Sequence, residues 1–226
     1  MNNSNIYVIA EIGNNHQGSV KHGLELIKAA KDAGANAVKT QKRDNKSLYT
    51  KNFFNQIYDN PNSFGSSYGE HREKLELNKN DYKELIDYAK QLKIDFFATP
   101  FDLKSLEFLE QFNLASYKIA SADITNIYLQ AEIAKTKKEI FLSTGGGTLE
   151  DVKRAKENIF NFNENLSILQ CTASYPARLE DMNLRVITTY AKNFPGIRLG
   201  LSDHENGIDA GPIAYMLGAR VFEKHF

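Results

Sequence analysis

A chain of 226 residues, 42% of them hydrophobic, can bury one substantial core, and its length suits a single domain (1–226) slightly short of a usual α/β barrel. With 28 basic and 28 acidic residues the formal net charge is zero, so no global field favours nucleic acid or an anionic membrane, and a charged substrate has to be met by a local site. The single cysteine, Cys171, excludes an intrachain disulfide framework and fits a reducing cytoplasm, and no apolar run approaches the ~20 residues that span a bilayer.

Met1 to Ser4 are polar and uncharged, without the basic segment, long apolar region or small-residue cleavage pattern of a secretion leader. Strand-length apolar runs then recur at Ile6–Ile12, Ala37–Gln41, Asp95–Thr99, Ser116–Ser121, Glu139–Ser143, Leu166–Cys171, Arg198–Ser202 and Val221–Phe226. Most are too continuously apolar to alternate, as strands buried on both faces of a parallel sheet must be. Helical spacing lies between them. Leu24 and Ile27 begin a stripe that Gly34 stops. Tyr82, Leu85, Ile86, Ala89 and Leu92 repeat it, as do Leu103, Leu106 and Leu109. Further helices are predicted at Tyr128–Lys135, from Leu149 behind a Thr148–Asp151 capping box, at Leu184–Lys192 and at Asp209–Leu217. Strict alternation with eight strands, and no Gly-rich dinucleotide fingerprint after the first, predicts a closed (β/α)8 barrel of the TIM type rather than an open doubly wound sheet. The stretch from about Lys42 to Asn78 is polar, aromatic and far longer than the usual βα loop. It is expected to form a lid over the active-site face.

A barrel draws its reactive groups from several strand ends, and here a polar residue closes nearly every strand. Lys39 and Lys118 stand inside apolar strands, where an unpaired lysine is rarely buried. Each is met by one of two readings: pairing with Glu11 or Asp123, or service to an anionic ligand. A Schiff-base role also remains open. Ser121, Ser143 and Ser202 occupy equivalent places on three strands. Singly they are ordinary loop serines; with two lysines they suggest a seat for a phosphorylated substrate. His204 and His225 end neighbouring strands and can share a divalent metal, with Glu11 or water completing the shell; nitrogen and oxygen donors point to manganese, cobalt, iron or zinc rather than magnesium. His16, His22 and His71 are read as loop or helix-surface residues, and Cys171 as a small core residue.

The segments Ala10-Glu11-Ile12-Gly13-Asn14-Asn15-His16, Val38-Lys39-Thr40-Gln41, Tyr117-Lys118-Ile119-Ala120-Ser121, Leu142-Ser143-Thr144-Gly145, Cys171-Thr172 with Tyr175-Pro176, Gly200-Leu201-Ser202-Asp203-His204 and Glu223-Lys224-His225-Phe226 together resemble the sialic acid synthase family, which makes nonulosonic acids. The resemblance covers essentially the whole chain. It implies a cytoplasmic, homodimeric transferase that condenses phosphoenolpyruvate with an open-chain N-acetylated amino sugar, N-acetylmannosamine or a related diacetamido sugar, and releases phosphate. It further implies a divalent metal, Mn2+ foremost with Co2+ or Mg2+ as alternatives, held by His204 and His225. By the same resemblance Lys39, Lys118, Ser121, Ser143 and Ser202 hold phosphoenolpyruvate, Gln41, Asp123 and Tyr175 face substrates, and Glu11, Glu223 and Lys118 serve the chemical steps. Asp123 stands where many members carry glutamate, and Ala173 and Ser174 fill a stretch where an asparagine or serine often helps bind phosphoenolpyruvate. Members also continue past the His-Phe pair with a covering helix and often an antifreeze-like domain, so this barrel is expected to stop at its eighth strand. Two other readings remain: a synthase of deoxy-sugar acids from lipopolysaccharide or aromatic biosynthesis, and a non-catalytic barrel with a binding or assembly role.

Overall fold

The computed structural model describes residues 6–226; the N-terminal segment read above for a leader, Met1 to Ser4, lies outside them. Eight strands form a closed, all-parallel barrel in chain order: β1 (Tyr7–Glu11), β2 (Ala37–Lys42), β3 (Asp95–Pro100), β4 (Ser116–Ile119), β5 (Glu139–Ser143), β6 (Leu166–Cys171), β7 (Arg198–Asp203) and β8 (Val221–His225). β8 pairs back onto β1 with Glu11 beside His225, which closes the ring. Eight consecutive strands, each joined to the next by a helical crossover, close because parallel neighbours need crossovers and a right-handed path brings the last strand to the first. The helices after β1 and β2 are α1 (Val20–Asp32) and, after three short helices, α2 (Asn45–Leu48), α3 (Lys51–Phe54) and α4 (Tyr68–Leu75), the crossover α5 (Lys79–Leu92). Then come α6 (Leu103–Glu110), α7 (Ile127–Lys135), α8 (Leu149–Phe160), α9 (Val186–Asn193) and α10 (Ala210–Met216).

The apolar residues divide into two cores because strand side chains alternate. One face of each strand meets the helices in a continuous outer core. The other fills the lumen with Ile9, Ala37, Phe97, Phe141, Leu169 and Val221, floored by Tyr7, whose ring stacks on Phe141 at 6.0 Å. Helix ends follow their sequence signals. The Thr148 side chain accepts from the Asp151 N–H while Asp151 accepts from the Thr148 N–H, and Gly34 takes the left-handed conformation beyond α1 at φ +87°.

Two expectations need correction. The 42–78 segment is no featureless loop: Tyr49, Phe53, Tyr58 and Tyr68 pack ring against ring, with centroid separations of 4.8 to 5.5 Å, and tie the short helices into a small body of their own. His71, read as a surface residue, is buried in that body, 4.7 Å from the Tyr58 ring. His16 is buried as well, its Nδ1 accepting from the Gly18 N–H at 3.1 Å. β4 also ends earlier than read, at Ile119, because the chain turns at Ser121 into a 3-10 turn that runs to Asp123.

Candidate active site

The same alternation that fills the lumen builds the site above it. Two residues beyond Ile9, Ala37, Phe97, Phe141, Leu169 and Val221 along their strands stand Glu11, Lys39, Thr99, Ser143, Cys171 and Glu223, so the inward row changes from apolar to polar at one level. Lys118, from β4, joins this level through Glu223. All of these side chains are buried.

Their charges are paired across the barrel. Lys39 contacts Glu11 and donates to the Thr99 hydroxyl at 2.9 Å, with Glu223 at 3.9 Å. Lys118 lies 3.4 Å from Glu223, whose Oε1 also accepts from the Ser202 hydroxyl at 2.9 Å. The sequence-level pairing of a lysine with Glu11 is thus present, while Asp123 pairs with neither lysine and accepts instead from the Asn126 amide at 3.0 Å. Burial works to raise the Glu223 carboxyl, but the Lys118 and Lys39 ammoniums and the Ser202 hydroxyl outweigh it and hold the group at about 2. Burial pushes the Lys39 ammonium below its ordinary value, and the Lys118 charge acts the same way. The Asp123 carboxyl is raised by burial.

Three buried atoms in this region have no hydrogen-bond partner among the described residues: the Ser143 hydroxyl, Glu223 Oε2 and Asp123 Oδ2. A buried polar atom without a partner costs free energy, so such a cluster marks where a ligand atom or water completes the network. Ser121 is placed beside them by the turn after β4, and its hydroxyl accepts from the Gly145 N–H at 2.9 Å. Gly145 has to be glycine here, since a Cβ would meet the Ser121 Oγ at 2.9 Å and the Ala173 Cβ at 3.1 Å. Likewise at Gly13 a Cβ would fall 2.4 Å from Glu11 Oε1, the atom that accepts the Gly13 N–H at 2.5 Å. With that bond and the Lys39 contact, both Glu11 oxygens are engaged.

His204 and His225 stand together at the mouth, with ring centroids 5.5 Å apart. Tyr175, 69% exposed, stacks on His204 at 3.9 Å and meets His225 edge-on at 5.6 Å. The His204 Nδ1 lies 2.8 Å from the Thr172 carbonyl, which can only accept, so the proton sits on Nδ1 and the Nε2 lone pair is left free. Burial lowers both imidazoles, His225 to about 4 with help from Lys39 and His204, so both are neutral at pH 7. A neutral ring oriented through its other nitrogen is what a divalent ion requires of a histidine ligand, and these two residues fit one. Among the described residues no third His, Cys, Asp or Glu joins them in a metal-holding group. Asp203 is turned away to Lys224, at 2.6 Å.

Cys171 is buried, as read from sequence, with its sulfur 3.9 Å from His204 Nδ1. Gln41 sits higher on β2, its amide oxygen accepting from Asn14 at 3.2 Å and from Arg43 at 2.7 Å. Sequence reasoning placed Thr99 on the rim but gave it no role; its period-two position above Phe97 was the available signal. It missed Arg43 and the Thr172 carbonyl, whose parts depend on contacts across the mouth.

Comparison with known proteins agrees with this arrangement. A model of the NeuB family matches residues 26–226. Mouse N-acetylneuraminate-9-phosphate synthase is 37% identical over 219 residues, 97% of this chain and 61% of the mouse protein. The N,N'-diacetyllegionaminic acid synthase of Campylobacter jejuni is 37% identical over 224 residues, covering 97% of this chain and 66% of that protein. The crystal structure of the N-acetylneuraminic acid synthetase of Leptospira borgpetersenii superposes with a TM-score of 0.87 at 30% identity, over 99% of this chain and 74% of that one. The chain spans about three-fifths of the length of the mouse relative, with 97% of its own residues in the match, and on the family match and these identities it belongs to the NeuB family.

Proposed function

We propose that this chain is the barrel of a nonulosonic acid synthase, which condenses phosphoenolpyruvate with the open-chain form of an N-acetylated amino sugar and releases phosphate. The observation that carries this reading is the combination at one strand level of two buried lysines with the partnerless Ser143 hydroxyl, directly below a pair of neutral histidines. Family membership turns a generic anion seat into this one, and it removes the grounds for the deoxy-sugar acid synthases. The relatives' names cover sialic and legionaminic acids, so the acceptor is drawn from N-acetylmannosamine and the diacetamido sugars.

In this reading Lys39, Lys118, Ser121, Ser143 and Ser202 receive the phosphate and carboxylate of phosphoenolpyruvate, and the lysines carry the negative charge that leaves with phosphate. A divalent ion, Mn2+ foremost, on His204 and His225 supplies Lewis acidity toward the sugar's aldehyde, its other positions falling to water and substrate. Carbon 3 of phosphoenolpyruvate bonds to the aldehyde carbon, water adds to carbon 2 as its proton leaves, and collapse breaks the bond between carbon 2 and the phosphate oxygen. The water oxygen remains as the new ketone. Between the two carboxylates we assign the orientation of that water to Glu223. Its Oε2 is free of hydrogen bonds, whereas both oxygens of Glu11 are engaged. Held at about 2, Glu223 is too weak a base to remove the proton outright and acts chiefly by positioning and charge. Tyr175, stacked on His204, and Gln41 then border the sugar.

The test is product analysis in 18O-labelled water with phosphoenolpyruvate, Mn2+ and a panel of acceptors. The expected result is a nonulosonic acid labelled at its ketone, unlabelled phosphate, and loss of turnover on chelation. Phosphate release only with arabinose 5-phosphate or erythrose 4-phosphate would replace this reading by the deoxy-sugar acid one. Binding of phosphoenolpyruvate without turnover of any acceptor would leave the barrel a binding or assembly element.

A further inference from the structure

Two guanidinium groups beside the mouth are buried in part and left without anions. Arg43 is the first residue beyond β2 and only 8% exposed. Its guanidinium carbon lies 3.6 Å over the Phe101 ring, and Nη2 donates to the Gln41 amide oxygen at 2.7 Å. Its Nη1 is buried and has no hydrogen-bond partner among the described residues, and the same holds for Nε of Arg72 on α4. Neither makes an ion pair among the described residues. Glu76, whose charge Arg43 feels, is held by Lys42 at 2.7 Å and otherwise accepts the Arg43 backbone N–H. Burial, followed by the nearby Arg72 charge, pushes Arg43 down to about 10, so the two cations face each other with Tyr49 and Tyr68 as the other groups around Arg43.

Such a pair is unfavourable in the free protein. A buried guanidinium left with an unmade hydrogen bond beside a second cation costs free energy that stacking on Phe101 does not return, because the ring satisfies its face and not its N–H groups. Guanidinium forks match phosphate oxygens, and two of them balance a phosphate dianion. The position also suits a substrate already in the site. Arg43 follows Lys39 by four residues, about 13 Å further along the strand direction at ~3.3 Å per residue. Its charge is nonetheless felt at Lys39, Asp123 and Tyr175, which lie on different sides of the mouth. An elongated acceptor with its aldehyde near the histidines has room to point its far end toward Arg43.

Resting on the synthase reading above, we propose that Arg43 and Arg72 seat a phosphate monoester at the end of the acceptor remote from its aldehyde, so that this chain selects a phosphorylated amino sugar. A neutral terminal hydroxyl would leave both cations uncompensated. Arg43 and Arg72 are specificity-determining residues in this arrangement and touch none of the reacting atoms.

The experiment compares N-acetylmannosamine with its 6-phosphate as acceptors for the purified protein and for Arg43→Gln, Arg43→Lys and Arg72→Gln, alongside calorimetric binding of the two sugars. The wild type is expected to prefer the phosphorylated acceptor, through KM rather than kcat. Arg43→Gln is expected to shrink that preference by roughly 10–100-fold, as for a lost hydrogen bond to a charged group. Arg43→Lys, which keeps the charge but not the fork, is expected to fall between. The KM for phosphoenolpyruvate should hold within about twofold, since those contacts are separate. Equal or better use of the unphosphorylated sugar by the wild type overturns the proposal and leaves the synthase reading standing, as does a loss in Arg43→Gln that is the same for both sugars. Binding of the 6-phosphate that weakens in Arg43→Gln, without turnover of either sugar, supports the seat and counts against the synthase reading.

Discussion

Glu223 joins the two lysines. It lies 3.4 Å from Lys118 and 3.9 Å from Lys39, and among the described residues it is the one carboxylate paired with Lys118, whereas Lys39 also has Glu11. Removing its charge leaves Lys118 buried without an anion. Glu223→Gln is therefore expected to cost about 3–5 kcal/mol in urea unfolding, because one partner of a buried pair is left uncompensated. The same variant should lose activity beyond what instability explains. An unfolding free energy unchanged from wild type would show that the pair is solvated and the site open. A second residue reports on burial away from the anion seat. Burial, with a smaller push from His22, lowers His16 from 6.5 to about 4. Between those values the folded state binds fewer protons than the unfolded one. Its contribution, about 3 kcal/mol for that shift, is complete above pH 6.5 and is lost as pH falls toward 4. His225, also lowered to about 4, adds to the same window. An NMR titration should find the His16 ring proton moving near pH 4; a midpoint near 6.5 contradicts the burial. Strand-end residues such as Lys39 and Ser143 could be located from sequence because they continue a period-two row of apolar residues. The burial of His16 and His71 could not, since their neighbours come from loops whose packing no local pattern specifies.

Helix positions were readable to within a residue or two wherever a stripe spanned several turns and a cap marked its start, as in α5 and α8. The short helices α2 and α3, four residues each, offer no stripe to read and hold together through the ring contacts of Tyr49, Phe53 and Tyr68. The end of β4 was overextended because Ala120 and Ser121 continue the apolar and small pattern while the backbone has already turned. The capping box of α8 gives a direct check at this scale. Thr148→Ala removes the hydroxyl that accepts the Asp151 N–H at 3.2 Å, and should cost about 1 kcal/mol, with Thr148→Ser retaining most of it. Equal urea midpoints for wild type and Thr148→Ala would mean that Asp151 alone holds the helix start.

At the level of the molecule, closure decides the chemistry. The barrel brings β8 beside both β1 and β7, so His225 stands next to Glu11 in register and close to His204, although these residues are far apart in sequence. It also sets Lys39 and Lys118 on one anion seat from strands that do not pair with each other. The alternation of strands and helices made the barrel legible in the sequence, and eight strand ends made its polar mouth legible. Which carboxylate stays free and where the unpaired guanidiniums lie depended on contacts that exist only after closure. No described helix is long and apolar enough to cross a membrane, consistent with the lack of any long apolar run. The central claim is that the two lysines and the Ser143 hydroxyl form the seat for phosphoenolpyruvate beneath the histidine pair. Calorimetric titration of phosphoenolpyruvate into wild type and Lys118→Met tests it most directly. Binding that weakens by roughly 10–100-fold in the variant, the loss of a charge-assisted contact, is the expected result. Equal binding by the two proteins, or none by the wild type, would contradict it.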